Sequence, residues 1–522
     1  ASPNALVKRG SHTTEIDSAE LVPGDIVILE AGRIVPADLR LIEAANLQSE
    51  ESALTGESVP QNKMTEPIFE AVKIPLGEKK NQAFMSSIIT AGRGLGVVVE
   101  TGMKTEMGKI AHLIDHEENS KTPLEKRLNQ LGKMLGKIAV AICIFIFIIS
   151  WFQGRDLAEM FLISVSLAVA SIPEGLAAIV AVVLSIGVTS MSKKNAIIRQ
   201  LPAVETLGSV NVICSDKTGT LTMNKMTVTQ VYTADGLIDI ELTQKNNLPH
   251  SVRFLTKGMI LCSDATLEKG DSTGDPTEVA LLALGDTIGL NREFLKINTK
   301  RIDEQSFDSD RKMMSVLMRE EDGDYKIFTK GALGSLNKIS TRIFADGEIR
   351  PITELDLKNF SKAAREMSDQ ALRTLALAYK PASQETKPEE MEEDLVLLGL
   401  VGMIDPARDE VKPAIKRAKE AGIKTIMITG DHKNTAFAIA KDLNIAAHLS
   451  EVLTGPELDD FSDEELRKNV DNYLVYARVS PEHKVKIVRA LKANGNVVSM
   501  TGDGVNDAPS LNAADIGVAL GI

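Results

Sequence analysis

Three stretches of this chain share one design, and together they constrain its fold more than any other feature. Each is an apolar, strand-like run that leads through a small or hydroxyl-bearing residue to an acid. They are Val210-Asn-Val-Ile-Cys-Ser-Asp216, Thr425-Ile-Met-Ile-Thr-Gly-Asp431 and Val497-Val-Ser-Met-Thr-Gly-Asp503. The last two each follow an amphipathic helical pattern, DEVKPAIKRAKEAG and PEHKVKIVRALKANG. Strands alternating with helices build a parallel, doubly wound sheet. In such sheets the working residues gather at the carboxyl ends of the strands, so the three acids are expected to converge on one pocket.

The chemistry expected there is phosphoryl transfer. Asp216-Lys-Thr-Gly-Thr-Leu-Thr222 lies where the first strand should end. A carboxylate at that point can attack phosphorus, while the amides of the following turn and the threonine hydroxyls hold the phosphoryl oxygens. Asp503-Gly-Val-Asn-Asp507 adds two carboxylates. With Asp216 they can hold one Mg²⁺, an ion that takes oxygen ligands and bridges to phosphate. Without a cation, acids so crowded would repel the phosphate. Thr429 can donate to a phosphoryl oxygen, and Lys484, after Pro481, can neutralise charge on phosphoryl group and nucleophile.

Composition excludes several classes. The 522 residues carry 59 Lys+Arg against 72 Asp+Glu, a net charge of −13, so no basic excess exists to neutralise nucleic-acid phosphates. Hydrophobic residues at 43% and charged residues at 25% are those of a folded chain. Cys143, Cys214 and Cys262 form no CxxC pair, and the seven histidines form no HExxH, which removes disulfide frameworks and zinc clusters. No signal peptide opens the chain. Both ends read as breaks within a longer protein.

Residues 21–110 alternate apolar and polar positions between Gly/Pro punctuation, as in VPGDIVILEAG, and predict a β-rich domain. Two membrane candidates follow. Ile138–Phe152 has 15 residues without a charge, and extended back to Met134, with Lys137 snorkelling, it suffices to span. Met160–Ser192 holds one charge, Glu174, in 33 residues. A helix of that length reaches about 50 Å against a hydrocarbon core of about 30 Å, so it spans and projects beyond. The short FQGRDLAEM link predicts a hairpin, and the basic KKNAIIRQ places the far end in the cytoplasm. A lone acid in an apolar helix is costly and points to function; Pro173 beside Glu174 opens the helix. Residues 227–400 read as a separate domain inserted into the α/β one, and the acidic SQETKPEEMEED (383–394) as a solvated loop.

DKTGTLT, TGD (429–431), TGDGVNDAP (501–509) and Thr55-Gly-Glu-Ser58 together resemble the signature set of the P-type ATPases, over essentially the whole chain. The resemblance implies a multidomain fold. It comprises a β-rich actuator domain (1–118), two transmembrane helices within 119–194 (about 134–153 and 160–192), a phosphorylation domain of α/β haloacid-dehalogenase-like fold (195–226 and 401–522), and an inserted α+β nucleotide-binding domain (227–400). It implies that ATP phosphorylates Asp216 beside Mg²⁺. Thr218 and Asp503 would complete the ion site, with Asn506 and Asp507 near ion and phosphate. Related phosphatases carry an acid two residues after the nucleophile; here that residue is Thr218, so the phosphoenzyme should persist. By resemblance the hydrolytic base is Glu57, brought by another domain.

The Walker sequence GxxxxGK[ST] is absent, so ATP must be held another way. The matching family motifs are Phe307-Asp-Ser-Asp-Arg-Lys312, Phe328-Thr-Lys-Gly331, Gly274-Asp-Pro-Thr-Glu278 and Ala371-Leu-Arg-Thr374. By resemblance Phe307 stacks on adenine, Lys330 lines its pocket, Glu278 hydrogen-bonds nearby and Arg373 meets the phosphates. Lys312, Gly430 and Asp431 belong to the same set, and Asp405 sits at a hinge near the ribose. By the same analogy, carbonyls of Val169, Ala170 and Ile172 join Glu174 in an oxygen-rich cation site. Oxygen ligands favour a hard cation such as Ca²⁺; heavy-metal pumps carry CPC in place of Ile172-Pro-Glu174. The IPEGL sequence and its flanks look most like calcium pumps, although sodium/potassium pumps share PEGL and Mn²⁺ remains open. A membrane-anchored phosphatase of the same fold is the alternative. The expected setting is a multi-pass protein of a bacterial cell membrane with cytoplasmic soluble domains. Its partners are ATP, the cation, lipid and further helices of the same protein.

Overall fold

The computed structural model describes the chain outside residues 1–3, 11, 56–59, 69–73, 75, 116–122, 155, 171–174, 241, 243–247, 269, 270, 291, 309 and 522. The three strand-and-acid segments lie side by side. Lys424–Ile428, Val212–Asp216 and Val498–Gly502 are neighbours at the centre of a six-stranded sheet whose pairings are all parallel. Val475–Ala477 and Val452–Thr454 extend one edge, and Ile516–Ala519 the other. Helices Val411–Glu420, Lys433–Asp442, Pro481–Ala493 and Ala508–Ala513 make the crossovers. Cys214, Ile426, Ile428 and Met500 have no exposed surface, and burying such an aliphatic side chain stabilises by about 1.5–3 kcal/mol. Val475–Ala477 and Val452–Thr454 have three residues each, too few to show a period in the sequence.

Between the first and second central strands the chain leaves this sheet. It builds a nine-stranded one over residues 227–404, and the two sheets are joined where Thr227–Thr233 departs and Leu395–Ile404 returns. These two strands pair antiparallel, with Ile404 opposite Thr227, so both crossings run together. Leu395–Ile404 is buried on both faces: Leu395, Leu397 and Leu400 pack into one core, and Val396, Leu398, Val401 and Met403 into another. A bulge at Leu398, where Leu377 opposes Gly399 and Ala378 opposes Leu397, shifts the alternation by one residue. The acidic loop 383–394 is not wholly solvated as expected. Met391 is fully buried against Leu317 and Ile327 on one face of the sheet, and Glu392 pairs with Arg311 and accepts from Ser315 Oγ at 3.0 Å.

The N-terminal region forms a seven-stranded antiparallel sheet dominated by the long pair Asp38–Glu50 and Ile88–Glu100. The buried Asp38 carboxylate accepts from the amides of Met85 (2.9 Å) and Glu106 (2.8 Å), which fixes the start of helix Glu106–Asp115. This helix and the turn Ser52–Thr55 pack against the Val505–Ala513 end of the parallel sheet. Glu78 and Arg478 bridge the same two bodies at 2.6 Å, and a cavity of about 400 Å³ lies between them.

Helix Pro123–Phe152 begins earlier than the expected span at 134. Its segment Arg127–Phe152 is, among the described residues, the one helix long and apolar enough to cross a membrane. It pairs with Leu157–Ala170, and the Cys143 thiol donates to the Ser164 carbonyl at 3.0 Å, as a hairpin requires. A further helix covers Gly175–Ser192. The expected opening at Pro173 lies outside the described residues.

Candidate active site

Asp216 ends its strand 5% exposed, and the turn after it is built to let other groups approach. Gly219 adopts φ +68°, and a Cβ there would fall 1.7 Å from Asp503 Oδ2. Glycine is required both for the left-handed backbone and for that approach. On the facing strand a Cβ on Gly502 would fall 2.4 Å from the Asp507 carboxyl carbon. The result is a triad: carboxylate oxygens of Asp216, Asp503 and Asp507 lie within 4.8 Å of one another. Three converging carboxylates, two at strand ends and one on the turn Val505–Asp507, suit a hard divalent cation such as Mg²⁺, so the residues present fit the expected ion.

Lys484 reaches this cluster from helix Pro481–Ala493. Ser480 caps the helix, its Oγ accepting from His483 N at 3.4 Å while its own amide donates to His483 Nδ1 at 3.1 Å. Pro481 occupies the first turn. The capping sets the helical phase that turns Lys484 inward. Its Nζ donates to Asp216 Oδ1 at 2.5 Å and to Asp507 Oδ1 at 2.6 Å, and Asp507 is fully buried. Burial pushes the Asp216 carboxyl up to about 6; the Lys484 charge opposes the rise and Asp507 adds to it. Burial, then Asp507, also raises Asp503. Burial alone would lower Lys484, but the charges of Asp216 and Asp507 outweigh it and hold the ammonium firmly protonated.

Around this centre the other expected residues fall at measured places. Thr429 is buried at the end of its strand, its hydroxyl accepting from Asp431 N at 3.1 Å. Asp431, beyond Gly430, pairs with Lys217 at 2.9 Å. Thr218 is half-buried in the turn, and the buried Thr220 hydroxyl has no hydrogen-bond partner among the described residues. Asn506 is buried beside Asp507. Asp405 is held at the crossing: it accepts from the Thr222 hydroxyl and from Lys225 N at 3.0 Å. Arg408 carries no local sequence signal. Its guanidinium donates to the carbonyls of Gly219 (2.7 Å) and Thr222 (3.1 Å), tying the turn after Asp216 to the returning strand.

Of the expected nucleotide residues, Asp405, Gly430 and Asp431 lie by the acid cluster, whereas Phe307, Lys312, Lys330 and Arg373 lie on or beside strands of the nine-stranded sheet and Glu278 on helix Pro276–Ile288. Lys330 forms an ion pair with Glu278, and Glu278 Oε2 also accepts from Asp264 N (2.7 Å) and Ala265 N (2.9 Å). Lys330 and Phe307 lie on Tyr325–Gly331 and Lys300–Asp308, the strands flanking Met313–Arg319. Phe307 is 44% exposed, open for stacking. Lys312 is exposed with φ +57° at the turn between Lys300–Asp308 and Met313–Arg319. Arg373 is exposed at the start of Arg373–Ala382, which adjoins the Lys330 strand. Val169 and Ala170 end helix Leu157–Ala170. Glu57, Ile172 and Glu174 lie outside the described residues.

Comparison with known proteins shows the family. Residues 1–115 match the family model of the P-type ATPase actuator domain, and residues 251–410 that of the P-type ATPase cytoplasmic domain N. The whole chain is 55% identical to calcium-transporting ATPase 1 of Bacillus cereus, covering 59% of that protein. It is 46% identical to the calcium-transporting ATPase of Bacillus subtilis, again with the whole chain matched and 61% of that protein covered. Over 96% of its length it is 42% identical to human calcium-transporting ATPase type 2C member 1, covering 55% of it. The chain belongs to the P-type ATPases. It spans roughly three fifths of the length of the bacterial relatives it matches.

Proposed function

We propose that this chain is the catalytic portion of an ATP-driven cation pump that works through an aspartyl phosphate, with Ca²⁺ exported from the cytosol. The carrying observation is the buried Asp216–Lys484–Asp507 cluster beside Asp503. ATP is held on the nine-stranded sheet, with Phe307 stacking on adenine, Lys330 and Glu278 lining its pocket, and Lys312 and Arg373 toward the phosphates. Asp216 attacks the γ-phosphorus: its carboxylate oxygen bonds phosphorus, the bond to the bridging oxygen breaks, and ADP leaves. Lys484 offsets charge on nucleophile and phosphoryl group, and Thr429 and Gly430 donate to phosphoryl oxygens. Asp216, Asp503 and Thr218 would hold Mg²⁺, with Asn506 and Asp507 beside them; when bound, the ion screens the phosphate charge from these acids.

In the second half-reaction water attacks phosphorus, the bond to Asp216 breaks, and the water's proton passes to Glu57. Thr218 supplies no base of its own, so hydrolysis depends on a domain that moves. In this reading 1–118 is the actuator domain, and 195–226 with 401–522 is a phosphorylation domain of haloacid-dehalogenase-like fold. Residues 227–400 bind nucleotide, and 119–194 enters the bilayer of a bacterial cell. Carbonyls of Val169, Ala170 and Ile172 with Glu174 take the cation, together with helices beyond this chain. The names of the relatives, calcium-transporting in bacteria and human alike, support Ca²⁺. The test is ATP hydrolysis by the full-length protein in vesicles, screened with Ca²⁺, Mn²⁺, Na⁺ and K⁺. Ca²⁺-stimulated turnover and uptake, both lost in Glu174→Gln, are expected. Ion-independent phosphomonoester hydrolysis that survives Glu174→Gln would replace the pump with a membrane-anchored phosphatase.

A further inference from the structure

Away from the acid cluster, the N-terminal sheet buries an ion pair that no step above uses. Glu51 and Lys63 meet at 2.5 Å with both charged side chains wholly buried. The Lys63 ammonium faces the ring of Phe84, 5.3 Å from its centroid. Burial raises Glu51 and lowers Lys63, each partner's charge opposing the shift in the other. A buried pair of this kind adds little stability over two well-packed apolar residues, so its use lies in fixing one geometry.

What it fixes is defined by the chain. Gln48 pairs with Asn62 and Ser49 with Gln61, and Lys63 N donates to the Leu47 carbonyl at 2.8 Å. The two charges therefore close the base of the segment between them. That segment begins with the turn Ser52–Thr55, whose Leu54 packs with Phe84 and Ile110. The turn lies against Val505–Asp507, the turn that carries the acid held by Lys484. One clasp thus sets how a separate sheet meets the phosphorylation centre.

We propose that Glu51 and Lys63 are positioning residues that seat the Ser52–Thr55 turn on the Val505–Asp507 turn, and that they serve hydrolysis of the Asp216 phosphoenzyme but not its formation. The proposal rests on the phosphoenzyme reading above. In the full-length protein, Glu51→Gln and the apolar pair Glu51→Leu/Lys63→Met are labelled from γ-labelled ATP and then chased. Labelling at the parent level is expected, followed by decay about 10- to 100-fold slower, the scale of a small misplacement of reacting groups. Because the apolar pair leaves no buried charge unpaired, it decides the matter if Glu51→Gln fails to fold. Parent-rate decay in either labelled variant overturns the proposal. So does loss of label in both variants beside a labelled parent, since the pair would then be a folding element only. An unlabelled parent overturns the phosphoenzyme reading itself.

Discussion

Lys484 Nζ stands 2.5 Å from Asp216 Oδ1, and neither side chain has more than a trace of exposed surface. A lysine so placed lowers the cost of a carboxylate in the interior and then meets the phosphoryl charge as it arrives. Lys484→Met is expected to cut the rate of phosphoenzyme formation about 10²- to 10³-fold, the usual loss for one electrostatic donor at a reacting centre. Rapid-quench labelling from γ-labelled ATP measures it, and a change below threefold would remove Lys484 from the chemistry.

The pH dependence follows from the same pair. Burial holds Asp216 up to about 6, despite Lys484. A carboxyl with a raised value is protonated below it, so the nucleophile is lost as pH falls through about 6. At low Mg²⁺ the labelling rate is expected to fall with a midpoint near that value. Saturating Mg²⁺, by favouring the charged form, should move the midpoint to lower pH. A flat profile between pH 5 and 8 at low Mg²⁺ would contradict the assignment.

Gly219→Ala tests the close approach of the turn to Asp503. The added methyl would stand 1.7 Å from Asp503 Oδ2 on a backbone at φ +68°, so turn and acid must separate. The Mg²⁺ concentration for half-maximal labelling is expected to rise about 10- to 100-fold, the range seen when the support of a metal ligand is lost. An unchanged Mg²⁺ titration would show that Asp503 does not hold the ion.

Phe307→Ala isolates the nucleotide site. Loss of a stacking ring costs about 1–3 kcal/mol, or roughly 5- to 150-fold in affinity. Equilibrium binding of a fluorescent ATP analogue should weaken by that factor, while labelling at saturating ATP stays near the parent level. Equal affinity in the variant would move the adenine elsewhere.

The parts of this architecture visible in the sequence were those written locally. The three strand-and-acid segments could be read as neighbours because an apolar run, a turn and an acid carry their own periodicity. The triad needed only strand-end placement to become plausible. Lys484 was reachable because its helix precedes the Asp503 strand. Other features depend on contacts between distant segments and leave no local trace. Arg408 ties Gly219 to the returning strand, 189 residues away. The Glu51–Lys63 pair is buried although both residue types normally face water. Met391 covers a sheet face from inside a run of acids. The bulge at Leu398 belongs to the register between Leu395–Ile404 and Arg373–Ala382, segments that are distant in the chain.

The most direct test replaces one oxygen by nitrogen. Full-length protein and its Asp216→Asn variant are incubated with γ-labelled ATP and Mg²⁺, quenched in acid, and treated with hydroxylamine. The account predicts acid-stable label on the parent, released by hydroxylamine as an acyl phosphate must be, and none on the variant. Equal label on both proteins would contradict it, whatever the arrangement of Asp503, Asp507 and Lys484 around that side chain.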